Sequence, residues 1–174
     1  ALRRGENLIA VEVHQRTSGS SDVVCGLEAS VLDLAPGKED VVSGESQEKW
    51  VELFNRGSEA VELSGWRLSS GIRYTFGAGE SIGPGEYLVV AADREHLESI
   101  HPGARVVGNF EGKLSGRSDR IVLSDPLGNP ADEVRYFDDG PWPIYADGGG
   151  SSIELIDPDS DNNNSGSWSD SDEG

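Results

Sequence analysis

The sequence predicts an all-β fold of sandwich or barrel type, and three observations carry that reading. Apolar and polar residues alternate over many short runs, the period-2 pattern of half-buried strands. Turn-forming residues punctuate those runs every ten positions or so, drawing on 23 glycines and 8 prolines. Only one segment carries convincing helix signals, which excludes helical bundles and alternating α/β folds.

The first strand signal is residues 5–14, where Ile9, Val11 and Val13 alternate with Ala10, Glu12 and His14. A polar turn leads to a second apolar run at 23–34. Two strands cannot bury a core alone, so these must complete a sheet from elsewhere or lean on strands later in the chain. Residues 35–47 have linker composition, rich in Pro, Gly, Ser and charge. From Trp50 the strands come quickly: 50–55, 60–63, 66–68, and a run whose one face is Ile72, Tyr74 and Phe76. After Pro84-Gly85, residues 87–91 form a continuous apolar run, the mark of a strand covered on both faces. Residues 93–100 are the helix, with Asp93 as N-cap, Glu95 in the first turn and Pro102-Gly103 as the stop. Residues 120–124 and 131–136 flank Asp125-Pro126-Leu127-Gly128-Asn129-Pro130 and read as a hairpin, and 152–156 is the last strand. The division expected is 1–34 as strands of a preceding domain, 35–47 as linker, 48–168 as the main domain and 169–174 as an acidic disordered tail.

Two resemblances sharpen this picture. Gly5, Asn7, residues 9–11 and Val13 resemble the strand before the last among the closing strands of galactose-binding-like β-sandwich domains, with no sugar-contacting loop to carry over. Further on, Glu48-Lys49-Trp50-Val51-Glu52-Leu53-Phe54-Asn55 resembles the opening strand of lamin-tail domains, with Lys49 inserted. Leu63-Ser64-Gly65-Trp66-Arg67-Leu68 is similar to their second block. Tyr74-Thr75-Phe76 with Ile82-Gly83-Pro84-Gly85-Glu86-Tyr87-Leu88-Val89-Val90 is similar to their third. Residues 118–123, Trp142-Pro143, 148–152 and Leu155 continue the pattern. The resemblance implies an immunoglobulin-like β-sandwich. The chain departs from nuclear lamins in having no heptad rod, no basic targeting cluster and no prenylation box, and looks instead like the bacterial members found in exported multidomain proteins.

Charge limits the partners. With 14 Lys+Arg against 32 Asp+Glu the net charge is −18, a surface that repels nucleic acid and anionic lipid. No apolar run approaches a membrane span. The sequence has no Met, not even at position 1, so a fragment or processed piece is expected. Cys25, the single cysteine, lies in a strand-like run and reads as a small buried residue.

Motifs for catalysis are weak. His96 and His101 are five apart with Glu98 between them, a mismatch to the metalloprotease helix, and read as exposed polar residues. Residues 148–152 lack the Lys of a phosphate loop, and Asp138-Asp139 beside Gly140-Pro141 reads as a turn. Asp157, Asp159 and Asp161 have the alternate spacing with which a loop wraps Ca²⁺, although position 6 of that loop is Asn162 and position 12 is Trp168. They are the candidate ligands of a weak calcium site, set against a plain acidic tail with a flexible Asn162–Asn164 run. Trp66, beside Leu63 and Leu68, reads as core. Trp142 lies between prolines with Tyr145 nearby. It reads either as a plug in the sandwich end or as a surface that stacks on a sugar or partner.

The function expected is therefore non-enzymatic: a binding or structural module of a larger extracellular or cell-envelope protein, with protein or carbohydrate partners. An accessory role, holding a neighbouring hydrolase on its substrate, is the alternative.

Overall fold

The computed structural model describes residues 9–15, 49–143 and 153–170, the first of these by its backbone pairing. In chain order the strands are β1 (Ile9–Gln15), β2 (Lys49–Asn55), β3 (Val61–Glu62), β4 (Arg67–Ser70), β5 (Ile72–Thr75) and β6 (Ser81–Ile82). They continue with β7 (Tyr87–Ala91), the helix α1 (Arg94–Ile100), β8 (Val106–Gly108), β9 (Glu111–Gly112), β10 (Ser118–Ser124), β11 (Pro130–Phe137), β12 (Ile153–Leu155) and β13 (Trp168–Asp170).

Two larger sheets make the sandwich. One has the order β1-β2-β7-β8 and the other β11-β10-β4-β5-β9, with small two-stranded sheets β3-β6 and β12-β13 beside them. Val51, Leu53, Leu88 and Val90 of the first sheet meet Leu68, Ile72, Ile121, Leu123 and Val134 of the second in one buried core. The all-β sandwich expected from the sequence is the fold observed.

The continuous apolar run at 87–91 has a clear physical cause. Leu88 and Val90 face the main core, while Val89 and Ala91 join Trp50, Val106 and Leu97 of α1 in a second cluster on the other face. α1 serves as the crossover that lets β8 pair parallel to β7, a connection that a tight turn cannot make. Its N-cap is as the sequence predicts: the Asp93 carboxylate accepts the His96 backbone N–H at 3.0 Å.

β1 pairs antiparallel with β2, Val11 opposite Leu53 and Val13 opposite Val51. The strand therefore lies on the edge of the sandwich's own first sheet, and it neighbours β11 and β12 as well. The strand expected at 23–34, the linker and Cys25 lie outside the described residues.

Two turns repeat one device. In Gly77-Ala78-Gly79-Glu80 and Gly83-Pro84-Gly85-Glu86, the glutamate carboxylate accepts the first glycine's N–H, at 2.7 and 2.9 Å. Gly79 and Gly85 hold φ of +82° and +69°, the position of a type II turn that a side chain would strain. Short β8 and β9 were not expected from the sequence, because two or three residues are too few to display alternation.

Candidate functional site

The residues of the motif blocks hold turns together from inside. Asn55 is 1% exposed. Its Nδ2 donates to the carbonyls of Glu59 at 2.8 Å and Ile82 at 3.0 Å, and its Oδ1 accepts the Gly57 N–H at 2.9 Å. One buried amide thus satisfies groups from two connections that would otherwise lose water without replacement. Trp66 is buried, and its backbone closes the Leu63-Ser64-Gly65-Trp66 turn (Trp66 N–H to Leu63 carbonyl, 2.9 Å) while accepting from Phe76. Tyr136 donates its hydroxyl to the Ser115 carbonyl at 2.7 Å, and burial, reinforced by the charge of Asp119, pushes that hydroxyl well above the ordinary tyrosine range.

The aspartates of the expected calcium loop are all exposed and take separate tasks. Asp157 accepts the Asp159 N–H at 2.9 Å, and Asp161 accepts the Asn163 N–H at 3.0 Å, each closing an Asx turn. Asp159 instead meets Arg56, whose guanidinium also donates to the Pro158 carbonyl at 2.6 Å. Among the described residues no group of three His, Cys, Asp or Glu side chains is placed to hold a metal ion. The structure therefore does not bring Asp157, Asp159 and Asp161 together, and a protein cation already sits at the middle one.

The expected flexible run at Asn162–Asn164 is a correction. Asn162 is buried and donates to both oxygens of Asp132, at 3.1 and 3.0 Å. Asn163 donates to the Glu133 carbonyl at 2.8 Å and accepts the Arg135 N–H at 3.1 Å. Asn164 caps the short 3-10 turn Ser165–Ser167, and Trp168 donates its indole N–H to the Asn162 carbonyl at 2.9 Å. Ser169 and Asp170, assigned to a tail by composition, pair with Glu154 and Ile153.

Trp142 is 7% exposed and belongs to the main core, its ring between Trp168 (centroids 6.2 Å apart) and Phe137 (6.3 Å). It plugs the sandwich end and offers no open face for stacking. Tyr145 lies outside the described residues. His101 is also a correction: it is buried at the end of α1, its ring edge-on to Trp50 at 6.2 Å, because the helix lies on the sheet at that point.

The lamin tail domain family matches residues 31–138, more than half of the chain. The chain belongs to the lamin tail domain family. No curated protein matches it. This lamin tail domain thus carries its motif residues as an internal frame. The match stops just after β11, so Ile153, Leu155 and Trp168 reach the same core from beyond the matched span. Sequence reasoning missed Arg56, Asp132, Asn162 and Asn163. The available signal was a lone tryptophan in polar sequence, preceded by an Asp/Asn run at Asx-turn spacing.

Proposed function

We propose that this lamin tail domain is a non-catalytic binding or structural module of a larger exported or cell-surface protein, and that it engages protein or carbohydrate. The observation that carries the reading is the use made of the motif residues: Asn55, Trp66 and Trp142 are buried in turns and core. They serve an internal frame, while the surface of the described residues carries many of the acidic side chains beside a few exposed apolar ones such as Leu127 and Ile156. Such a surface favours cationic protein partners and disfavours phosphate-bearing ones, in keeping with the net charge of −18. Placement outside the cell rests on the resemblance to bacterial exported members.

The test uses the full chain on a panel of ester, peptide and glycoside substrates, beside a binding screen against polysaccharides and cationic proteins at low and high salt. No turnover is expected after repurification, and binding should be selective within one ligand class. Turnover that survives repurification would overturn the reading, as would tight binding to nucleic acid.

A further inference from the structure

The outer edge of β11 is closed in an unusual way. Val134 turns into the core, opposite Ile121 of β10, and the Glu133 carbonyl and the Arg135 N–H lie on the outer edge, where both meet the Asn163 side chain. An edge with such groups open is a template for another strand. Here three of them are met by side chains. The Glu133 N–H donates to Asp132 Oδ1 at 2.8 Å, the Glu133 carbonyl accepts from Asn163 Nδ2, and the Arg135 N–H donates to Asn163 Oδ1. The Asn163 amide thus stands where the peptide group of a neighbouring strand would stand. Asn162 fixes Asp132 through both carboxylate oxygens.

We propose that Asn163, together with Asn162 and Asp132, guards the β11 edge, and that the uncovered edge is a self-complementary docking surface for the same edge of a second copy of this chain. The register is set by the groups that face outward. An antiparallel pairing centred on Val134 makes Glu133 and the second copy's Arg135 a hydrogen-bonded pair, exchanging both backbone bonds. The same register sets Glu133, whose carboxylate Arg120 already holds through both oxygens, opposite the second copy's Arg135 on the outer face at two symmetric positions, and opposite charges in such pairs are favourable. An interface of this kind is isologous and closes at two copies. Against it stands the repulsion between two chains of net charge −18, which salt screens. The guard therefore matters most where ionic strength is high.

Asn163→Ala in the full chain, followed by sedimentation at low salt and at about 1 M salt, tests the proposal. The wild type should stay monomeric in both. The variant should form a dimer at high salt, with Arg135 amide exchange faster by about tenfold or more in its monomer. Adding Arg135→Glu sets like charges across the register and should abolish the dimer. Should Asn163→Ala fail to fold, Asn163→Asp keeps the acceptor for Arg135 and removes only the donor to Glu133, and must show the same trend. Four results would each overturn the proposal: a variant that stays monomeric, a dimer indifferent to Arg135→Glu, a wild type that dimerises equally well, or an Arg135 amide unprotected in the wild type.

Discussion

Trp66 and Trp168 are buried to the same degree, 4% exposed each, yet they belong to regions built on different principles. Around Trp66, from β2 to β11, the strands bring their apolar residues to one core, and ladders and tight turns supply hydrogen bonds, with the Asn55 amide joining two of the connections. Around Trp168 there is one short hairpin, β12-β13, carrying Ile153 and Leu155. The chain between its strands is held to β11 by asparagine amides and to the end of β2 by Arg56. The first region owes its shape to the pattern of burial. The second owes its position to a few polar side chains that imitate backbone, with three apolar anchors beneath them.

The sharpest way to break that contrast is to remove each anchor. Trp66→Ala should destabilise the fold by ~3–5 kcal/mol, the usual cost of truncating a large buried aromatic. Trp168→Ala should fall in the same range, since its ring shares the core and its indole N–H is bonded to Asn162. A loss below ~0.5 kcal/mol in chemical denaturation, within the range of ordinary surface changes, would make the hairpin an appendage rather than part of the domain.

An intermediate effect separates the regions by pH. Burial, then the charge and hydrogen bond of Glu80, pushes the Tyr74 hydroxyl up from 10.0 to about 12. The unfolded chain surrenders that proton first, so the stabilisation is complete below pH 10 and is lost as pH rises toward 12. The melting temperature should fall across that interval, and Tyr74→Phe should make the fall shallower. An identical slope in both proteins would mean that Tyr74 stays as exposed as an unfolded tyrosine.

The smallest effect concerns the acidic loop. Because Arg56 already meets Asp159 and the neighbouring aspartates close Asx turns, millimolar Ca²⁺ should raise the melting temperature of the wild type and of Asp159→Asn/Asp161→Asn equally, if at all. A shift confined to the wild type would show the three carboxylates converging on the ion.

The two regions also differ in how far they could be read from the chain. The strand at 72–75 is visible because polarity reports the face each residue occupies, and 87–91 because a short β-branched apolar run follows a strong turn. The helix at 94–100 is visible because Asp93 and Pro102 mark its ends. β8 and β9 are too short for a period to register. The 157–170 stretch misleads for a different reason: Asp and Asn are common in both solvated tails and side-chain-to-backbone turns. Composition cannot tell an amide in water from one bonded to Glu133 and Arg135. The candidate calcium ligands illustrate the same limit, since spacing along the chain does not reveal that Arg56 arrives from far away in sequence.

The position of Trp168 also has a consequence in time. A ribosome releases the chain from its amino end, so Val51, Leu53 and Leu88 emerge long before the residue that completes their packing. Until Asn163 is made the β11 edge lacks its side-chain partner, and until Trp168 follows Trp142 lacks an aromatic neighbour. Nascent chains stalled short of that point would present apolar surface and an open strand edge together, the combination most prone to misassembly during synthesis. The domain therefore matures last at its carboxyl end, and the interval before closure is when it would depend most on chaperones.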